Sequence, residues 1–375
     1  MSISGLTYLD HNATTPTKPA AVEKMQEMLA FPGNASAIHK AGREARRRIE
    51  QARGEIAAAL HIGLRDVIVF TGGATEANNL ALLGAGMERV IVSAIEHPSV
   101  LGVRSDAEVL PVLPSGIVDV ATLDKMLEGN TRQTLISVMY VNNETGVIQP
   151  MEEIVAVARK RGALVHTDAV QAFGKIPLDV QKLGADFVTL SAHKMGGPQG
   201  VGCLVICNCN PVTPMVRGGN QEKNIRSGTE NLPGIVAFGH AATLIDVEGF
   251  QKLAAWRDKI ETSLKAAAPE LIFFGKDMPR IANTTMFALP GAPSETQLIS
   301  LDLAGICVSN GSACSSGTVK ASHVLKSMGA DEAAAGASLR VSLGWNTTEK
   351  DADFFIEQWL KMYSRIRQRT GASHA

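Results

Sequence analysis

Six short runs of near-continuous hydrophobicity punctuate the first two-thirds of the chain, at residues 67–70, 90–93, 135–139, 163–168, 186–190 and 201–206. Runs of this length, rich in Val and Ile, predict strands buried within a mostly parallel sheet. Helical periodicity lies between them. Pro16 and Pro19 open a helix that runs to about Leu29. Over 42–60 the apolar positions Ala45, Ile49, Ala52, Ile56 and Leu60 recur at helical spacing. Another helix is expected over about 154–161, and a long helical pattern runs from Leu232 to about Lys265. Beyond it, strands at 281–287, 306–308 and 339–343 mix with helices at 295–303 and 352–367, and the tail from Thr370 is expected to fray. The fold class is therefore α/β: a large domain over 16–245 with a mixed, mostly parallel sheet, and a smaller α+β domain built from 1–15 and 246–375. The stretch from Tyr8 to Pro16 reads as extended and turn-rich, too polar at its end to be core.

Composition narrows the function classes. A chain of 375 residues with 45% hydrophobic residues can bury a large core. Its formal net charge of −1 excludes nucleic-acid or membrane-surface binding driven by bulk charge. Arginines on the 42–60 helix are interleaved with Glu44, Glu50 and Glu55, which reads as an ion-paired solvated face. Five cysteines in so long a chain make a disulfide framework improbable and a reducing, cytoplasmic setting the expectation. Residues 1–5 carry no basic region followed by an apolar one, and no apolar run is long enough to span a bilayer. Cys203, Cys207 and Cys209 match no common zinc spacing. They are expected to be core cysteines with no metal, the first and second on the strand at 201–206.

Candidate chemistry gathers where strands end. Ser191-Ala192-His193-Lys194 follows the strand at 186–190, and a lysine there sits where open α/β sheets place ligands. Its amine can form a Schiff base with an aldehyde cofactor. Asp168 ends the preceding strand, so a crossover connection puts both residues on one sheet edge. An aspartate so placed can hold a proton on the ring nitrogen of pyridoxal phosphate. The strand at 67–70 runs into Thr71-Gly72-Gly73-Ala74-Thr75-Glu76, a glycine turn opening a helix and a ready site for a lone phosphate. His97 follows the next strand and could stack on an aromatic cofactor and also handle protons near neutral pH, which makes it a candidate catalytic residue. Asn143 follows the third and could reach a phenolic oxygen. Far along the chain, Ser309-Asn310-Gly311-Ser312-Ala313-Cys314-Ser315-Ser316-Gly317 makes a small-residue loop with a thiol at its tip.

These blocks, together with Tyr8-Leu9-Asp10-His11-Asn12-Ala13-Thr14-Thr15-Pro16, Asn142-Asn143-Glu144-Thr145-Gly146, His166-Thr167-Asp168-Ala169-Val170-Gln171 and Arg226-Ser227-Gly228-Thr229-Glu230-Asn231, occur in an order that resembles the fold-type I pyridoxal phosphate enzymes and, among them, the cysteine desulfurases of the NifS/IscS type. The resemblance implies that Lys194 carries the cofactor, that Asp168 pairs with its ring nitrogen and that His97 stacks on the ring. It implies that Asn143 and Gln171 reach the phenolic oxygen and that Ala74, Thr75, Ser191 and His193 hold the phosphate. Thr229 would reach the phosphate of the other subunit of a homodimer. Cys314 would take the sulfur of L-cysteine as a persulfide, leaving alanine, and pass it to an acceptor or iron–sulfur scaffold protein. Arg340 would clamp the substrate carboxylate, with Asn34 and His39 at the same entrance. Rival readings are a selenocysteine lyase or aminotransferase of the same fold, or a non-catalytic sulfur carrier.

Overall fold

The computed structural model describes residues 5–310 and 321–372. Among them the strands are, in chain order, β1 (Thr7–Tyr8), β2 (Val67–Thr71), β3 (Arg89–Ser93), β4 (Glu108–Leu110), β5 (Thr134–Ser137), β6 (Leu164–Asp168), β7 (Phe187–Ser191), β8 (Gly202–Ile206), β9 (Ile272–Phe273), β10 (Thr284–Ala288), β11 (Ile306–Cys307) and β12 (Ser338–Ser342). Seven of these make the central sheet, ordered β2-β8-β7-β6-β5-β3-β4. From β4 to β7 every pairing is parallel, and β8 lies antiparallel between β7 and β2. A parallel block covered on both faces needs apolar residues on both. Every residue of β3, β5 and β7 is accordingly buried.

This topology sends the carboxyl ends of β2, β3, β5, β6 and β7 to one edge, and β8 begins there. On one flank the helix Lys40–Ala59 buries Ala45, Ile49, Ala52 and Ile56. Arg47 and Arg48 on its outer face both pair with Glu44, at 2.6 and 2.8 Å. A second apolar cluster centred on Phe287, Phe355 and Trp359 involves the antiparallel sheet β12-β10-β9 and the parallel pair β1–β11. No helix among the described residues is long and apolar enough to cross a membrane.

Several expectations need correction. The polar stretch after Tyr8 is core: His11, Asn12 and Thr15 are buried. Polarity misleads there because the side chains are hydrogen-bonded, which removes most of the penalty of burial. The helical run after Leu232 is three helices, Leu232–Thr243, Val247–Gln251 and Leu253–Ala267. Asp246 starts the second by accepting from Gly249 N at 2.8 Å, a capping signal that periodicity does not weigh. The last helix, Glu349–Ala372, continues past Thr370, with no proline to break its ladder. Strand β5 stops short of Met139, whose N–H donates to Glu96 instead. Cys203 is buried on β8, but Cys207 lies beyond it in a 3₁₀ turn, and Cys209 is exposed rather than core.

Candidate active site

The carboxyl edge of the sheet opens into a cavity of about 860 Å³. Ten residues singled out from the sequence line it: Ala74, Thr75, His97, Asn143, Asp168, Gln171, Ser191, His193, Lys194 and Arg340. Strands far apart in sequence deliver them side by side because each strand ends at the same edge. Three others do not line this cavity. His39 caps the helix Lys40–Ala59 through Nδ1, which accepts from Gly42 N at 3.2 Å. Asn34 Oδ1 accepts from Ser36 N at 2.8 Å. Thr229 is exposed. Cys314 lies outside the described residues.

Lys194 ends a 3₁₀ turn, Ala192–Lys194, directly after β7. Its Nζ donates to the carbonyls of Asn12 (2.6 Å) and Ala13 (2.7 Å). Asn12, whose role no sequence motif announces, joins the parts of the site. Its N–H donates to Ser342 Oγ at 3.0 Å and its Nδ2 to Thr284 Oγ1 at 2.8 Å. Its carbonyl also accepts from Gln171 Nε2 at 2.9 Å, and its Oδ1 from Lys175 Nζ at 2.9 Å. Lys175 Nζ donates further to Gln171 Oε1, which leaves Gln171 its amide nitrogen to offer as a donor. Burial, reinforced by Lys194 and Arg340, pushes the Lys175 amine well below its ordinary range. Burial with the same neighbouring lysines lowers His193 to about 4, while its Nδ1 lies 3.1 Å from Thr14 Oγ1.

Asp168 is fixed from two sides. Its Oδ1 accepts from Val170 N at 3.0 Å and its Oδ2 from Asn78 Nδ2 at 2.9 Å. Asn78 Nδ2 also donates to Ser99 Oγ at 2.9 Å, and Ser99 Oγ lies 2.8 Å from His97 Nδ1. Asn78 and Ser99 were missed by the sequence reading. A trace was present, because asparagine is a poor choice in a helix interior unless its side chain has a partner. Burial lowers His97 below its ordinary range; Asp168 opposes that shift, and Lys194 and His323 add to it.

The glycine turn before the helix Ala74–Gly84 is held open by specific contacts. Gly73, at φ 151°, occupies a region that favours glycine and supplies no side-chain cap, so the first N–H groups of the helix stay available. Glu76 Oε2 accepts from Gly72 N at 2.7 Å, and its Oε1 accepts from Arg226 Nε at 2.8 Å. Gly202 on β8 allows the turn to approach: a Cβ there would stand 2.6 Å from Leu190 O and 2.9 Å from Gly73 C.

Arg340, on β12, closes the far wall and is 1% exposed. Its Nη1 donates to Asn143 O at 2.9 Å and its Nη2 to Asp10 Oδ1 at 2.7 Å. Its Nε is buried with no hydrogen-bond partner among the described residues. Two carboxyls behind the cavity are buried: Glu96, pushed up to about 8 by burial, and Glu144, raised for the same reason. Glu96 Oε1 accepts from Ser93 Oγ (2.5 Å) and Met139 N (2.6 Å), while Glu144 accepts from Ser322 Oγ.

Comparison with known proteins agrees from three directions. The profile of the family described as Aminotransferase class-V matches residues 7–355. A cysteine desulfurase of Enterobacter agglomerans is 38% identical over 96% of this chain and 93% of its own length. An IscS-like cysteine desulfurase of Mycobacterium tuberculosis is 39% identical, covering 97% of this chain and 98% of that protein. The crystal structure of a NifS-like protein from Rickettsia africae superposes with a TM-score of 0.89 at 36% identity, over 96% of this chain and 99% of that one.

Proposed function

The chain belongs to the cysteine desulfurases of the class-V aminotransferase family, and from that membership we propose that its cavity holds pyridoxal phosphate and converts L-cysteine to L-alanine, with the sulfur taken up by Cys314. The observation that carries this reading is the convergence of Lys194, Asp168 and the open helix start at Ala74 on one cavity. The donor set suits the cofactor. An amine, a carboxylate fixed on both oxygens and a turn cleared by Gly73 and Gly202 correspond to an aldehyde, a ring nitrogen and a phosphate. When bound, pyridoxal phosphate supplies a sink for the electrons freed at the substrate's α-carbon.

The chain's own residues then have distinct tasks. Lys194 would hold the cofactor and is the base that would take the substrate's α-proton. Asp168 keeps the ring nitrogen protonated, with Asn78 and Val170 N–H fixing its orientation. Arg340, which lines the cavity and keeps N–H donors beyond those given to Asn143 and Asp10, receives a substrate carboxylate. Gln171 and Asn143 address the phenolic oxygen, and Ala74, Thr75, Ser191 and His193 the phosphate. Cys314 takes up the sulfur and passes it to an acceptor, for which an iron–sulfur scaffold is the favoured class. Thr229, exposed in this chain, serves the phosphate of a second copy in a homodimer; Asn34 and His39, away from this cavity, belong to the entrance of the assembled dimer.

Two variants test the reading. Cys314→Ala is expected to keep the cofactor's absorbance and lose alanine and sulfide formation from L-cysteine. Borohydride treatment is expected to add the reduced cofactor's mass to the peptide containing Lys194 and to none in Lys194→Ala. Unlabelled wild-type protein would end the proposal, as would amino transfer to a keto acid in place of sulfur release.

A further inference from the structure

Ser99 makes two contacts with the same ring nitrogen. Its backbone N–H donates to His97 Nδ1 at 3.1 Å, and its Oγ lies 2.8 Å from that atom. A backbone N–H can only donate, so Nδ1 must present a lone pair. The hydroxyl proton is directed the same way, because Ser99 Oγ accepts from Asn78 Nδ2 at 2.9 Å. Asn78 cannot be turned over at no cost. Its Nδ2 also donates to Asp168 Oδ2, and a flip would set the amide oxygen against that carboxylate oxygen. Its Oδ1 is buried without a partner among the described residues, the mark of an orientation imposed from the other side.

We propose that Asn78 and Ser99 are positioning residues that hold His97 as the neutral Nε2–H tautomer, so that the ring offers the cavity a hydrogen-bond donor and has no lone pair there to accept a proton. His97 Nε2 has no hydrogen-bond partner among the described residues, while the ring lines the cavity. Burial, Lys194 and His323 disfavour a charged ring and outweigh Asp168, which favours it. Resting on the reading given above, this makes His97 a neutral donor to the sulfur of bound L-cysteine. It does not remove the thiol proton, which must leave by another group or be absent when the substrate enters. A neutral ring also avoids placing a second positive charge over a protonated pyridine.

The experiment uses the full chain carrying ring-¹⁵N histidine, with and without pyridoxal phosphate, and assigns His97 by comparison with His97→Gln. The expected result near neutral pH is an unprotonated Nδ1 and a protonated Nε2 in the cofactor-free protein. Ser99→Ala removes a hydrogen bond made only to the neutral ring, so the His97 titration is expected to move up toward the ordinary value; Ser99→Thr, which keeps the hydroxyl, is expected to restore it. A protonated Nδ1 in the wild type overturns the proposal, as does a Ser99→Ala titration identical to the wild type. The cofactor-free measurement stands apart from the functional reading, which fails separately if pyridoxal phosphate gives no bound absorbance band.

Discussion

Replacing Arg340 by lysine tests the carboxylate clamp at atomic detail. The guanidinium spends one N–H of Nη1 on Asn143 O and one of Nη2 on Asp10 Oδ1, which leaves Nε–H and a second N–H on each Nη for a substrate. Lysine keeps the charge and can keep the Asp10 pair, so the wall should survive, but a single ammonium cannot satisfy Asp10, Asn143 and a substrate with the geometry of a fork. The substrate loses about one charge-assisted hydrogen bond, worth about 1.5–3 kcal/mol. At about 1.4 kcal/mol per tenfold, kcat/KM for L-cysteine should fall by roughly tenfold to a hundredfold, mostly through KM. Alanine formation is measured against L-cysteine concentration, with sulfide release from cysteamine, which lacks the carboxylate, as the control. Cysteamine turnover should be nearly indifferent to the change. An unaltered KM for L-cysteine, or an equal loss on both compounds, would falsify the assignment of Arg340 to the carboxylate.

Gly202→Ala places a methyl group 2.6 Å from Leu190 O and 2.9 Å from Gly73 C. It should cost about 1–3 kcal/mol by overpacking and loosen the cofactor, read as a lower melting temperature and a higher Kd for pyridoxal phosphate; normal retention would show that the turn has slack. Glu96→Gln addresses pH. The folded-state value of Glu96 is raised to about 8 from 4.5, so its stabilising contribution is complete below 4.5, declines as pH climbs toward 8 and then levels off. That decline is at most about 1.4 kcal/mol per pH unit. Glutamine has no such decline, so melts across this range should show the variant gaining on the wild type as pH rises, and a constant difference would mean that Glu96 is charged in the fold.

The central sheet was legible because its strands are buried on both faces, which writes an unbroken apolar run into the sequence. Asp168 and Lys194 followed for the same reason, because once the strand ends are known the two must share an edge, whereas Gln171, Ser191, His193 and Arg340 were legible only through the family resemblance. What stayed hidden was the wiring. Asn12, Asn78, Ser99 and Lys175 look like ordinary polar residues, and their partners lie up to 330 positions away, as with Asn12 N–H and Ser342 Oγ. No local pattern encodes such pairings. The break at Asp246 was hidden differently, because a helix cap interrupts without changing the hydrophobic period. Short strands such as β4 and β9, of three and two residues, are below the length at which alternation can be read.

The contacts of Asn12 also set an order of events during synthesis. The residues around it leave the ribosome long before Ser342, which receives its N–H, and Arg340, which pairs with Asp10. That segment therefore cannot settle until Arg340 and Ser342 have emerged. Lys194, leaning on the carbonyls of Asn12 and Ala13, is translated long before its resting place exists. A buried amine is thus kept from its final alignment until those residues have emerged.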